Sequence, residues 1–135
     1  EKYIMTTFSE EKAFYILADE QRLIEIIVKI LTNAKNYTPP NGQIRVEINE
    51  NIIKNRLEIQ ISDTGIGIPE TDLPRIFERF YRADRARSRD SGGTGLGLSI
   101  VKHLMQAHQG RIKVSSKVGE GTTFTLIFPK DIKIK

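Results

Sequence analysis

Cysteine and tryptophan are both absent from these 135 residues, and only 10 glycines and 5 prolines are present. Without cysteine there is no disulfide framework and no thiolate metal site, and the glycine content excludes a collagen-like repeat. No apolar run approaches the roughly 20 residues needed to cross a bilayer. The first residue is Glu1, with no initiating methionine and no secretory leader, so the expected context is one domain cut from a longer protein, in a reducing or redox-indifferent compartment. Hydrophobic residues make up 39% and charged residues 28%, enough for a core in one domain over 1–135.

Lysine and arginine number 21 against 17 acidic residues, a net charge of +4 that mildly favours anionic partners. More pointed is the crowding of Arg79, Arg82, Arg85, Arg87 and Arg89 into one stretch.

Helix and strand periods alternate along the chain. Phe14 to Leu17 reads as a short strand, and Asp19 as the N-cap of a following helix. There Leu23, Ile26, Ile27, Ile30, Leu31 and Ala34 recur with the spacing of one buried stripe. Pro39-Pro40-Asn41-Gly42 stops it. Ile44, Val46 and Ile48, then Leu57, Ile59 and Ile61, alternate as a hairpin of half-buried strands. A short helix is expected from about Glu70 to Phe77. Another carries Leu98, Val101, Leu104 and Met105, with Gly110 as its C′ residue. Ile112 and Val114, then Phe124, Leu126 and Phe128, form a last strand pair around Gly119-Glu120-Gly121. The unpatterned stretch 81–93 reads as a mobile lid. The fold class is α+β: a two-layer α/β sandwich with a mixed, mostly antiparallel sheet and helices on one face.

Four segments stand out chemically. Glu25, Lys29, Asn33 and Asn36 share one side of the long helix and are expected opposite its buried stripe. An amide oxygen such as that of Asn33 suits Mg²⁺, although for this segment taken alone a solvated helix face is the preferred reading. Asp63-Thr64-Gly65-Ile66-Gly67-Ile68-Pro69 ends a strand. Its carboxylate can accept from an exocyclic amine, and its glycines let backbone approach a planar base. A capping turn is the plain alternative. An aspartic-protease Asp-Thr-Gly is another, disfavoured by the helical periodicity before Asn36. Ile76-Phe77-Glu78-Arg79-Phe80-Tyr81-Arg82 interleaves aromatics with arginines that could fork onto phosphates. Gly92-Gly93-Thr94-Gly95-Leu96-Gly97-Leu98 leads into a helix whose N-terminus offers free N–H groups to phosphate. It has neither the Walker A lysine nor the dinucleotide-binding spacing.

In this order the segments resemble the N, G1, F and G2 boxes of the ATP-binding catalytic domain of sensor histidine kinases, over roughly residues 13–128. The resemblance implies the Bergerat-type sandwich, with ATP and Mg²⁺ as cofactors. Asp63 would hold the adenine amine, with Gly65, Gly67 and Ile68 shaping the base pocket. Asn33 would bind the metal and Tyr37 flank the nucleotide. Gly93, Thr94, Gly95, Leu96 and Gly97 would cradle the phosphates, with Arg82 in the lid and Phe77 and Phe80 at its root.

The N box departs from the family pattern. Where the family carries Asn four residues before the metal Asn and Lys three after it, this chain has Lys29 and Asn36. The two share a helix side about 10 Å apart, whereas Lys35 lies about 200° round from Asn33. Lys29 or a lid arginine is therefore expected to supply the phosphate-facing charge. The only histidines, His103 and His108, lack the acidic residue and proline of an acceptor box, so the expected phosphoacceptor is a His on a separate helical dimerisation domain. Implied further are a response-regulator receiver domain as partner, a homodimeric and membrane-attached full-length protein, and a cytoplasmic location. Two other functions stand beside this one. A clamp-closing ATP hydrolase would need a base where Lys29 sits, and Glu25 lies a turn too early; a non-catalytic nucleotide-sensing module draws on the same departure. A nucleic-acid partner is not expected, because the arginine stretch lacks an aromatic platform.

Overall fold

The computed structural model describes residues 18–79, 81 and 97–129, and the backbone of 5–8. Five strands, β1 (Met5–Phe8), β2 (Gln43–Asn51), β3 (Arg56–Asp63), β4 (Arg111–Lys117) and β5 (Gly121–Pro129), form one sheet in the order β1-β2-β3-β5-β4. β1 runs parallel to β2, and the other pairs are antiparallel. The helices α1 (Glu20–Tyr37) and α2 (Gly97–Ala107) pack on each other and on one sheet face. This is the expected mixed α/β sandwich.

Strand alternation decides which face is covered. Ile44 and Val46, then Leu57, Ile59 and Ile61, and Phe124, Leu126 and Phe128 are buried, with Val46 across from Ile61 and the β3 trio across from the β5 trio in register. They meet Ile26, Ile30 and Ala34 of α1 and Val101 and Met105 of α2 in a single core. Apart from Ala34, each such side chain is worth about 1.5–3 kcal/mol when buried. On the other face, Arg45, Glu47, Gln60, Ser62 and Lys113 keep the sheet wet.

Helix α1 begins as its sequence dictates. The Asp19 Oδ1 accepts from the Arg22 N–H at 3.1 Å, satisfying one of the helix's orphan donors. At the other end the Thr38 hydroxyl donates to the Ala34 carbonyl at 2.6 Å. The chain then turns through Pro39–Gly42, with Asn41 in the left-handed region at φ 72°.

Three expectations need correcting. The segment 70–77 forms no α-helix, only a 3-10 turn at Leu73–Arg75 within a string of single turns from Pro69 to Tyr81. Pro74 has no N–H to give to the Glu70 carbonyl, so an α-helix starting at Glu70 loses its first bond. The left-handed residue closing α2 is Gln109 (φ 60°), not Gly110. The Gly110 N–H bonds the Met105 carbonyl and the Gln109 N–H that of Gln106, which makes Gln109 the C′ residue. A Cβ on Gly110 would lie 2.5 Å from the Ile127 carbonyl oxygen, so glycine is needed there for close approach. Finally, β1 is a strand the sequence reading did not anticipate, lying before its expected start of the core at residue 13. The expected strand at Phe14–Leu17 lies outside the described residues.

Candidate functional site

The buried sheet face turns polar at one end. Continuing the apolar rows of β2, β3, β5 and β4 comes the row Ile44, Asp63, Thr122 and Ser116, paired in register. Asp63 is 8% exposed, a carboxylate set into the rim of the core. Its Oδ1 accepts from the N–H groups of Gly65 (2.8 Å) and Thr122 (3.2 Å). Both bonds fall on one oxygen, and among the described residues Oδ2 has no hydrogen-bond partner. Burial raises the acid above its ordinary value, partly offset by those two N–H groups. A carboxylate so placed asks for a donor.

Backbone frames the carboxylate closely. A Cβ on Gly65 would lie 2.3 Å from the Tyr37 carbonyl oxygen, and one on Gly67 2.3 Å from that of Lys117. Gly67 also has φ 78°, a left-handed conformation suited to glycine. The Ile66 N–H bonds the Tyr37 carbonyl at 3.1 Å, and the Gly119 N–H bonds the Ile66 carbonyl at 2.9 Å. The loop after Asp63 is thus stitched to the last turn of α1 on one side and to the β4–β5 turn on the other. Ile68 packs on the core, and its N–H reaches the Ser116 hydroxyl at 2.7 Å.

On α1, Lys29, Asn33 and Asn36 are half-buried along the flank of the stripe and not opposite it. The outward face belongs to Ile24 and Val28, each 53% exposed, with Thr32 and Lys35. The correction follows from helix geometry: at 100° per residue, positions 29, 33 and 36 sit beside 26, 30 and 37. Asn33 therefore stands one turn before Tyr37, on the helix whose end is tied to the Asp63 loop. Gly97 opens α2, where the glycine-rich segment was expected to deliver a helix start. Phe77 meets Phe124 edge-to-face, with ring centroids 6.5 Å apart. Tyr81 donates its hydroxyl to Asp72 and lies under the Arg75 guanidinium, 4.4 Å from its ring centre. Phe80, Arg82, Gly93, Thr94, Gly95 and Leu96 lie outside the described residues.

His103 is exposed, and His108, just past α2, receives the Asp19 N–H at Nε2 (3.2 Å) while Nδ1 meets the Leu104 carbonyl (2.8 Å). Among the described residues no three His, Cys, Asp or Glu side chains are grouped to hold a metal ion. No described helix is long and apolar enough to cross a membrane.

The sequence reading missed Ser116 and Thr122. Their signal lay in period two: each takes the buried-face position next in line after Ile112 and Val114, or before Phe124, Leu126 and Phe128. A hydroxyl on a buried face is worth asking about.

A family model described as histidine kinase-, DNA gyrase B-, and HSP90-like ATPase matches residues 18–132. The chain belongs to this family. It is 41% identical over 119 residues to the sensor histidine kinase WalK of Bacillus subtilis, covering 88% of this chain and 20% of that protein. The WalK sensor protein kinase of Staphylococcus epidermidis is 38% identical over 130 residues, covering 94% and 21%. The chain thus spans about a fifth of the length of these relatives. Among solved structures, the catalytic domain of histidine kinase ThkA superposes with a TM-score of 0.79 at 26% identity, covering 94% of this chain and 80% of that one. Full-length ShkA, solved in complex with AMPPNP, gives 0.78 at 31% identity, with coverage of 93% and 25%. Fold and sequence are those of the ATP-binding domain of a sensor histidine kinase.

Proposed function

We propose that the domain binds Mg-ATP in the space bounded by Asp63, the Gly65–Ile68 loop, the Asn33–Tyr37 turn of α1 and the start of α2, and presents the γ-phosphoryl group to a histidine outside this chain. The observation that carries the reading is the Asp63 carboxylate, buried, with Oδ1 committed to two backbone donors and Oδ2 left to receive an adenine amine. Gly65 and Gly67 let the loop close onto the Tyr37 and Lys117 backbone, which holds it beside Asp63, where the base would lie. Asn33 would hold Mg²⁺ through its amide oxygen, with the phosphates completing the shell. Bound there, the ion would neutralise charge on the phosphate oxygens. Gly93, Thr94, Gly95, Leu96 and Gly97 would offer backbone N–H groups to the same oxygens, with Lys29 or Arg82 of the lid over 81–93 adding positive charge. Asn36, about two turns beyond Lys29 on the same flank, would take a polar role at the metal-side wall.

Positioning is the whole chemical task, because phosphoryl transfer needs in-line geometry and charge neutralisation more than covalent help. The acceptor imidazole would belong to the protein's own helical dimerisation domain, and the phosphoryl group would pass on to a response-regulator receiver domain. The full-length protein would be a homodimer attached to the membrane, with this domain on the cytoplasmic side. The hydrolase alternative is weaker: Lys29 occupies the place where that chemistry wants a base, and Glu25 is paired with Arg22 at 3.2 Å. Incubating the domain with radiolabelled ATP and the matching dimerisation domain should give an acid-labile phosphohistidine on the latter. Tight ATP binding with no such product would leave a nucleotide-sensing module.

A further inference from the structure

We infer that Ser116, on the strand beyond Thr122, is a positioning residue that sets the hydrogen-bond polarity of the base pocket and with it the preference for adenine; this rests on the nucleotide reading above. The Ser116 Oγ has three partners: the Ile68 N–H at 2.7 Å, the Gly121 carbonyl at 2.9 Å and the Thr122 Oγ1 at 2.8 Å. A hydroxyl has one hydrogen and two acceptor positions. The amide can only donate and the carbonyl can only accept, so Ser116 accepts from Ile68 and gives its hydrogen to Gly121. The bond to Thr122 must then be donated by Thr122.

Two consequences follow. Thr122 has its hydroxyl hydrogen drawn toward β4, away from Asp63, and keeps only lone pairs to offer. Its N–H is already given to the Asp63 Oδ1. With Asp63 ionised, whatever meets this row meets acceptors from both side chains. An exocyclic amine satisfies them, whereas a carbonyl at the same position, as in guanine, is left facing oxygen. Ser116 also pins the Ile68 end of the loop that carries Gly65 and Gly67. Gly121 leaves no slack, because a Cβ there would lie 1.9 Å from the Asp63 carbonyl oxygen.

The test is calorimetric titration of the 135-residue chain with ATP and with GTP, for wild type, Ser116→Ala and Ser116→Thr, alongside amide exchange without nucleotide. In Ser116→Ala the Thr122 hydroxyl is released to donate. ATP affinity should fall about tenfold, the size of one well-made buried hydrogen bond. GTP affinity should hold or rise, so the ATP-to-GTP preference shrinks. The Ile68 amide should exchange faster while those of Ile59 and Leu126 keep their protection. Ser116→Thr, which keeps the hydroxyl, should restore both readouts. Parallel weakening of ATP and GTP, or an unchanged preference, overturns the inference and leaves the nucleotide reading standing. Absence of ATP binding by wild type overturns the nucleotide reading and this one with it. Should Ser116→Ala fail to fold, Ser116→Cys, whose thiol is a poor hydrogen-bonding group, takes its place with the same expected directions.

Discussion

Asp63 is held where an ionised carboxylate is costly, and that cost makes its role measurable. Its acid is raised by burial, so folding works against its charge at neutral pH. The sign is fixed: the native state holds this proton more tightly than the unfolded chain, so stability from this group rises as pH falls through the raised value. The gain is complete near the ordinary carboxylate value of about 3.9. Binding of an amine donor runs the other way, since protonation removes the acceptor. Asp63→Asn should therefore leave thermal stability unchanged or higher while ATP affinity drops at least about tenfold, because the new amide can point a donor at the adenine amine. Titrating ATP affinity against pH should show wild type weakening as pH falls, the loss setting in before the ordinary carboxylate range is reached, a dependence that the Asn variant lacks. Gly65→Ala is a contrasting change. Its methyl would sit 2.3 Å from the backbone oxygen of Tyr37, so chemical unfolding should show a loss of about 2 kcal/mol or more together with weaker ATP binding.

At the scale of elements, what could be read from the sequence was whatever repeats. Ile26, Ile30 and Ala34 announced α1, and the alternation of Leu57, Ile59 and Ile61 announced β3, because one buried face forces a period. Asp63 stood out differently, as the acid ending that strand ahead of a glycine-rich turn. Elements without a period were lost. Met5–Phe8 contributes four residues to the sheet, too few to alternate visibly, and the turns around Pro74 looked helical until the missing proline N–H was counted. The flank position of Lys29, Asn33 and Asn36 was misjudged because a stripe shows which residues are buried without showing how wide the covered face is. That placement makes α1 both core and site. Shortening Ile30, fully buried, to alanine should cost about 2–5 kcal/mol in urea unfolding. Asn33→Asp, half-buried at the edge, should cost little stability and change the Mg²⁺ dependence of ATP binding in a paired titration with and without the ion.

For the molecule as a whole, one core carries both the fold and the site. Asp63, Thr122 and Ser116 continue rows whose other members are Ile61, Phe124 and Val114, and the loop after Asp63 is bonded to the end of α1. The parts that would face a nucleotide thus come from α1, β3, β4 and β5, all in the same hydrophobic cluster or hydrogen-bonded to it. A ligand spanning them binds only when all are assembled, so its binding energy adds to folding by mass action. With ATP at 100 times its dissociation constant the gain is about 2.7 kcal/mol. For a domain of this size that should raise the thermal midpoint by roughly 10 °C. Scanning calorimetry should show one transition moving as a unit, with the same ATP concentration moving Asp63→Asn no more than about half as far. If nucleotide sharpened or shifted only part of the transition, the site would be riding on a separately melting piece, and the unity of core and pocket argued from the strand register would be wrong.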